Sequence, residues 1–198
     1  MSAAVQLLPP PASDSLRRKR FTREEVDRLL EIGFFDGQRF ELIDGELIDK
    51  MGQNPPHAFT LRAINGWLNA IFPGNVQAQL PIEASPDERN SSLPEPDLAV
   101  LAESANPEYR RRHVRGDEVL LAIEVADTSL RQDLVRKRDM YARAGVGEYW
   151  VADIPARRIV VHRAPANGQW GEVFALSGAD PIAPPTQPTH SVTVESLF

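Results

Sequence analysis

The sequence contains no cysteine, and its four histidines are scattered. The lack of cysteine excludes disulfides, zinc sites with thiolate ligands and thiol catalysis. The histidines are His57, His113, His162 and His190, and no two of them have the i,i+4 spacing of ligands on one helix face. A histidine-based zinc site is therefore not expected. Any metal site would depend on carboxylates, which suit magnesium or manganese.

The sequence also lacks long apolar runs. No segment approaches the roughly 20 apolar residues that a membrane-spanning helix needs. The first 20 residues do not resemble a secretion signal, because their apolar residues precede the basic ones and prolines interrupt them. We therefore expect no membrane association and a cytoplasmic location. The net charge of −6 argues against broad electrostatic attraction to nucleic acid.

Length and composition are those of one soluble domain. The chain has 198 residues, of which 42% are hydrophobic and 25% charged, a balance that excludes disorder as the main state. Residues 1–20 are proline-rich and then basic, with no hydrophobic periodicity. We expect them to form a flexible leader, followed by a single domain over residues 21–198.

Two predicted strands carry an acid among apolar residues. Asp97 opens the first of them, which follows Pro94-Glu95-Pro96, and Glu124 lies within the second, residues 119–125. An acid in such a position is costly to bury unless it is paired or binds a metal. A divalent cation shared by Asp97 and Glu124 would account for both. The alternative needs no metal: Asp97 would cap a strand, and Glu124 would pair with an arginine.

A predicted helix over residues 130–144, ended by Gly145, follows the second strand. On it Asp133, Lys137 and Tyr141 recur every four residues and so line one face. A lysine near a metal-binding pair of acids could orient an attacking water or offset charge during phosphodiester hydrolysis. An Asp-Lys pair at this spacing is also typical of an exposed salt bridge, and spacing alone does not decide between the two.

Two elements precede these strands near the amino terminus. Thr22-Arg23-Glu24-Glu25 is a capping box, which predicts a helix over residues 22–32. Residues 39–50 contain Asp44-Gly45 between two apolar segments, the signal of a tight β-hairpin. Glu41 shares a strand face with Ile43 and is a candidate third acid, with an exposed edge-strand carboxylate as the alternative.

The remaining periodicities complete a mixed fold. Residues 57–71 have helical spacing, and residues 76–82 alternate as a half-buried strand does. Together with the carboxyl-terminal segments they predict an α/β (α+β mixed) fold: a central mixed sheet flanked by helices, an N-terminal hairpin and a C-terminal β-meander over residues 148–153, 159–163 and 170–176. Residues 103–118 form an exposed arginine-rich insertion between the strands that carry Asp97 and Glu124, and because it lies near the strand ends it could contact a phosphate backbone.

Several segments, in this order, resemble a known family. They are Arg39-Phe40-Glu41-Leu42-Ile43-Asp44-Gly45-Glu46-Leu47, Pro96-Asp97-Leu98-Ala99-Val100, Ala122-Ile123-Glu124-Val125, Asp133-(x)3-Lys137-(x)3-Tyr141 and Gly147-Glu148-Tyr149-Trp150-Val151-Ala152-Asp153. The sequence resembles the PD-(D/E)XK nuclease superfamily and, within it, the Uma-type restriction endonucleases. The resemblance spans residues 21–163 and implies a restriction-endonuclease-like core.

The resemblance also implies roles for individual residues. Asp97, Glu124 and the main-chain carbonyl of Val125 would bind Mg²⁺ or Mn²⁺. The superfamily lysine is expected two residues after the second acid, where this chain has Ala126. Lys137 on the following helix would take that role, with support from Tyr141. Glu41 resembles the extra acid that many superfamily members place near the metal, and Glu46 is the competing candidate.

The first functional hypothesis is therefore a Mg²⁺- or Mn²⁺-dependent endonuclease that acts on DNA. Two alternatives are a non-catalytic nucleic-acid-binding protein that retains the nuclease fold, and a metal-dependent hydrolase of another substrate. Nucleases that cut both strands are often two-fold symmetric, so we also expect a homodimer on grounds of symmetry.

Overall fold

A computed structural model describes residues 18–50, 52, 54–103 and 106–198 of the chain. Its strands are β1 (Phe40–Ile43), β2 (Glu46–Asp49), β3 (Val76–Ala78), β4 (Ile82–Glu83), β5 (Leu98–Leu101), β6 (Val114–Arg115), β7 (Val119–Ala126), β8 (Tyr149–Asp153), β9 (Arg158–Ala166), β10 (Gln169–Ser177), β11 (Pro181–Ile182) and β12 (Val192–Thr193). The helices are α1 (Arg23–Glu31), α2 (Pro55–Ile71) and a continuous helix, α3, built of Leu130–Gln132, Asp133–Lys137 and Arg138–Ala144. Short 3-10 turns span Pro107–Arg110, Gly116–Glu118 and Val194–Leu197.

A six-stranded mixed sheet, in the order β10-β9-β8-β7-β5-β3, forms the centre of the fold. Strands β7 and β8 are parallel, and every other neighbouring pair in this sheet is antiparallel. A parallel pair cannot be joined by a tight turn, and α3 supplies the crossover between β7 and β8. The predicted fold class, with a mixed sheet flanked by helices, an N-terminal hairpin and a C-terminal β-meander, is confirmed.

The two faces of the sheet bury two separate apolar clusters. On one face, α2 packs Ile64 and Leu68 against side chains that include Leu98 and Ile123. On the other face, Tyr141 of α3 packs against side chains that include Ala99. Because side chains alternate along a strand, this division also fixes the face of every neighbouring residue.

The N-terminal hairpin packs beside α3. Asp44 and Gly45 both have positive φ, 50° and 77°, as a two-residue turn of type I′ requires. Ile43 of β1 is fully buried in a small cluster with Ala84 and Met140, the latter on α3. Strand β1 therefore turns the face that carries Ile43 and Glu41 toward α3.

One sequence prediction differs from the structure here, and another is confirmed. Residues 76–82 do not form one strand, because Gln79 adopts a left-handed backbone conformation (φ 54°) that separates β3 from β4. Strand β4 pairs instead with β6, in a two-stranded parallel sheet. The helix predicted over residues 22–32 is confirmed as α1, and both hydrogen bonds of the Thr22 capping box are formed.

Residues 1–17 of the predicted leader lie outside the described residues. In the described remainder, Lys19 forms an ion pair of 2.6 Å with Glu25 of α1. The division into a leader and one domain over residues 21–198 remains our proposal. Among the described residues, no helix combines the length and the apolar character that crossing a bilayer requires.

Candidate active site

Strands β5 and β7 bring Asp97 and Glu124 to the same face of the sheet. The antiparallel register pairs Leu98 with Ile123, so Asp97, one residue earlier, lies opposite Glu124, one residue later. Leu98 and Ile123 belong to the cluster under α2, and the two acids therefore face the α3 side. The backbone N–H of Val125 donates to Asp97 Oδ2 at 2.8 Å, which ties the two strands together at this point.

Glu124 is held by two side chains of α3. Lys137 Nζ donates to Glu124 Oε1 at 2.9 Å, and the Tyr141 hydroxyl donates to the same oxygen at 3.1 Å. No hydrogen bond from the described residues reaches the second oxygen, Glu124 Oε2. Helix α3 thus occupies one oxygen of Glu124 and leaves the other for a ligand.

A π-helical turn sets the direction of these α3 side chains. Residues Asp133–Lys137 have i→i+5 hydrogen bonding, and the N–H of Arg138 donates to the carbonyl of Asp133. Such wide turns occur within α-helices, frequently at functional sites. In a regular α-helix of 3.6 residues per turn, side chains spaced four residues apart rotate gradually around the helix axis. The extra residue in the wide turn offsets this rotation. Asp133, Lys137 and Tyr141 are all buried on the side of the helix that faces the sheet.

Glu41 completes the set of carboxylates around the lysine. Its Oε1 lies 2.8 Å from Lys137 Nζ, and its Oε2 accepts a hydrogen bond of 3.1 Å from the N–H of Glu95. Both oxygens of Glu41 are therefore engaged within the protein. Glu46, the competing candidate, lies at the surface and pairs with Arg136 at 2.9 Å. The structure thus brings Glu41, and not Glu46, to Lys137.

Asp133 is a member of this cluster that sequence reasoning did not include among the site residues. Its Oδ1 lies 3.8 Å from Lys137 Nζ, and its Oδ2 accepts a hydrogen bond of 2.6 Å from Ser129 Oγ. The i,i+4 spacing of Asp133 and Lys137 indicated an exposed salt bridge equally well. Both side chains are in fact only 3% exposed, because α3 lies against the sheet.

Burial and charge act in opposite directions on the acids of the cluster. Burial raises the pKa of Glu124 well above its ordinary value, although the neighbouring Lys137 opposes this. Burial likewise raises the pKa of Asp133. For Lys137, burial works to lower the pKa, but the attraction of Glu124, Glu41 and Asp133 outweighs it and the pKa is raised. The lysine is therefore firmly protonated, while Glu124 holds its proton more tightly than an exposed carboxyl would.

Asp97 behaves differently from Glu124. Burial works to raise the pKa of Asp97, but contacts from His57 and the Val125 N–H outweigh burial, and the pKa is lowered. Asp97 is therefore ionised under ordinary conditions. The two acids differ because Asp97 accepts its contacts at the end of a strand, whereas Glu124 lies deeper, between the sheet and α3.

A cleft of about 230 Å³ opens in front of these residues. Its lining combines the cluster with the first turn of α2 and the loop after β7, and includes Lys50, His57, Asp97, Glu124, Val125 and Asp127. His57, one of the four scattered histidines and not among the predicted site residues, lies with Nε2 3.5 Å from Asp97 Oδ2. No spacing signal could have revealed this contact, because His57 and Asp97 are distant in sequence.

The donor set of the cleft fits a divalent cation with oxygen ligands. Among the described residues, no three histidine or acidic side chains are grouped so that they could hold an ion alone. Asp97 and Glu124, however, each keep one oxygen to which no described residue donates a hydrogen bond. Mg²⁺ is commonly bound through one or two carboxylates while it keeps several waters. Burial raises the pKa of Glu124 and Asp133, and a cation bound beside them would favour their ionised forms.

The carbonyl of Val125 points the same way as its N–H. Ala122 and Ala126 make the hydrogen bonds from β7 to β8. Because backbone groups alternate along a strand, the N–H and C=O of Val125 face away from β8, toward Asp97. The N–H of Val125 does donate to Asp97, as this geometry requires. Its carbonyl oxygen is therefore directed toward the β5 side of β7, where Asp97 lies.

Comparison with known proteins places the chain in a family. The family model Uma2, described as "Putative restriction endonuclease", matches residues 23–195. The chain belongs to the Uma2 family. A search of curated proteins found no match. A solved structure from Anabaena variabilis ATCC 29413, described as "a putative nuclease belonging to DUF820", has the same fold. That structure aligns with a TM-score of 0.69 at 15% sequence identity, over 90% of this chain and 97% of the other.

The basic insertion of this Uma2 chain does not lie near the acids. Leu101 pairs with Val119, so residues 102–118 leave the sheet at the end of β5 opposite to Asp97. Four residues of strand separate the two ends by about 13 Å, at about 3.3 Å per residue. Arg112 is moreover paired with Glu118 through two hydrogen bonds of 2.8 and 2.6 Å. The insertion therefore lies near a strand end, as expected, but at the end of β5 that is away from the acids.

Proposed function

We propose that this Uma2 protein is an endonuclease of the PD-(D/E)XK type, which hydrolyses DNA phosphodiester bonds with Mg²⁺ or Mn²⁺. The observation that carries the proposal is the placement of Asp97 opposite Glu124 on one sheet face, with Lys137 bonded to Glu124 inside an open cleft. The family description and the nuclease fold of the similar solved structure support the same reaction class. Fold alone would not suffice, because one fold serves many activities.

Asp97, Glu124 and the Val125 carbonyl would hold the cation. A bound divalent ion polarises a phosphoryl oxygen and lowers the pKa of a bound water. The protein's own contribution is to fix the ligands. Val125 N–H orients Asp97, and Lys137 together with Tyr141 orients Glu124.

Lys137 acts in this scheme mainly on the other members of the cluster. Its ammonium lies within 2.9 Å of both Glu41 and Glu124 and is only 3% exposed. It therefore neutralises the buried acids and holds the Glu124 carboxylate in place. Glu41 in turn anchors Lys137 through one oxygen and the β5 lead-in through the other.

Plasmid cleavage tests the proposal. Wild-type protein should nick or linearise supercoiled DNA in Mg²⁺ or Mn²⁺ and should stop when EDTA is added. Asp97→Ala and Glu124→Gln should lose at least about 100-fold in rate, since each removes a ligand of the catalytic ion. Glu46→Gln is the matched control, because it removes a carboxylate outside the site, and it should retain wild-type cleavage.

Two additional measurements, of DNA binding and of hydrolysis of a simple phosphodiester, separate the two alternatives. DNA binding that weakens with salt, without cleavage in any metal, would indicate a non-catalytic binding protein. Hydrolysis of a simple phosphodiester without cleavage of DNA would indicate another substrate.

We further propose a cytoplasmic location and a homodimer. Light scattering of the purified chain should give twice the monomer mass of 22.0 kDa, and the monomer mass would refute the dimer.

A further inference from the structure

His57 lies at the mouth of the cleft in a backbone position fixed by a helix cap. Asn54 is the N-cap of α2, and its side-chain oxygen accepts the N–H of His57 at 3.0 Å. The side-chain amide of Asn54 donates to Asp127, in the loop after β7. The first turn of α2 is therefore tied to the strand that carries Glu124, which fixes where the imidazole can reach.

The imidazole reaches the same oxygen of Asp97 that the backbone already binds. Its Nε2 lies 3.5 Å from Asp97 Oδ2, slightly longer than a standard hydrogen bond, and Val125 N–H donates to Oδ2 at 2.8 Å. No described residue donates a hydrogen bond to Oδ1. The two contacts on one oxygen therefore leave the other oxygen for a ligand.

The second nitrogen of the ring has no role in holding the fold. His57 Nδ1 is buried, and no described residue forms a hydrogen bond with it. His162 shows the contrasting arrangement of a histidine that supports the core. Its Nδ1 lies 3.1 Å from the carbonyl oxygen of Tyr149, and its ring packs on that of Tyr149 at 5.3 Å. An unpartnered buried nitrogen costs free energy, and the polar contact that remains for the His57 ring is Asp97.

We propose that His57 is a positioning residue of the cation site. With the Val125 N–H, it holds Asp97 Oδ2 so that Oδ1 is directed to a divalent cation. The inference rests on the proposed metal-dependent function and assigns the histidine no contact with the ion or with DNA. Outer contacts of this kind orient ligating carboxylates, and their loss typically weakens metal affinity 10- to 100-fold.

Mn²⁺ binding to the full chain provides a measurement that is independent of activity. Free Mn²⁺ is followed by electron paramagnetic resonance at one fixed pH, in wild type, His57→Ala, His57→Gln and His190→Ala. His57→Ala should raise the Mn²⁺ dissociation constant about 10-fold or more. His57→Gln, whose amide can still donate to Asp97, should recover part of that loss. His190 is an exposed histidine far along the chain, and its substitution should leave Mn²⁺ affinity unchanged.

Cleavage measurements then locate the defect. In His57→Ala, the Mn²⁺ concentration for half-maximal cleavage should rise by the same factor, while the rate at saturating Mn²⁺ should stay near that of wild type. If His57→Ala binds Mn²⁺ within two-fold of wild type, the proposal is overturned. Equal losses in His57→Ala and His57→Gln would also overturn it, because the loss would then not depend on a hydrogen-bond donor. If one variant fails to fold, the other alone still decides. Wild-type Mn²⁺ affinity in His57→Ala, or a full loss of Mn²⁺ affinity in folded His57→Gln, would refute the positioning role.

The outcomes separate this inference from the proposed function. Mn²⁺ binding that depends on His57 in a protein that cuts no DNA would retain the positioning role and refute the endonuclease. DNA cleavage by a protein whose Mn²⁺ affinity does not depend on His57 would support the endonuclease function and refute the positioning role. A wild-type chain that binds no Mn²⁺ would refute both.

Discussion

Removal of the Lys137 ammonium should cost the protein a large part of its stability. Lys137→Met keeps an unbranched side chain of nearly the same length but leaves Glu41 and Glu124 without the cation that lies 2.8 and 2.9 Å from them. The group is only 3% exposed, so water cannot screen the remaining charges as it would at the surface. Breaking a buried ion pair typically costs about 3–5 kcal/mol. For a chain of this length, that corresponds to a fall in melting temperature of about 6–20 °C.

Arg136, the preceding residue on the same helix, provides a matched control. It also forms an ion pair, with Glu46 at 2.9 Å, but its side chain is 34% exposed. Arg136→Met should therefore cost at most about 1 kcal/mol. Urea unfolding in EDTA measures both variants without a contribution from bound metal. A loss for Lys137→Met as small as that for Arg136→Met would refute the argument that the cluster is a buried, mutually dependent set of charges.

Three further predictions, with four substitutions, test other parts of the structure. Burial raises the pKa of Glu124, so the folded metal-free protein binds the Glu124 proton more tightly than the unfolded chain does. The stability that this proton contributes is complete below the ordinary pKa of 4.5 and is lost as pH rises through the folded-state pKa. The melting temperature in EDTA should therefore fall as pH is raised above the ordinary value, and Glu124→Gln should reduce that slope, whereas an unchanged slope would contradict the assignment. Asn54→Ala removes the N-cap of α2 and should cost about 1 kcal/mol in urea unfolding, and no measurable change would contradict its role. Gly116→Ala should cost about 1–3 kcal/mol of stability, because the added methyl group would overlap the backbone of Ala144. Gly66→Ala in α2, where the methyl group meets open space, should stabilise the protein by about 0.5–1 kcal/mol. The reverse order of the two melting temperatures would contradict the packing.

Local sequence signals were sufficient for much of the fold. Asp44-Gly45 predicted the hairpin because a turn with two positive φ angles strongly favours these residue types, and both angles are positive in the structure. The cap at Thr22 and the left-handed stop at Gly145 fixed the ends of two helices. The apolar run of β7 predicted a central strand, and the strand is indeed enclosed between β5 and β8.

The same kind of signal could not supply the contacts between distant segments. Alternation along β7 could not say which neighbour Glu124 would face, since both faces of a central strand are buried. The contact between His57 and Asp97 depends on where α2 begins relative to β5, which is a tertiary property. Residues 103–118 were predicted to lie near the strand ends, but their distance from the acids depends on the antiparallel pairing of β5 with β7, which the local pattern does not give.

Because of the wide turn at Asp133–Lys137, the helix tolerates no change in the number of residues between the β7 loop and Tyr141. A chain with one residue deleted in this turn could return to regular helical winding, but everything before the deletion would then be rotated by about 100° relative to everything after it. Either Asp133, before the deletion, or Lys137 and Tyr141, after it, would turn away from Glu124. Natural variation in this helix should therefore proceed by exchange of side chains and not by gain or loss of residues, and an alignment that opens a gap here would pair residues that point in different directions.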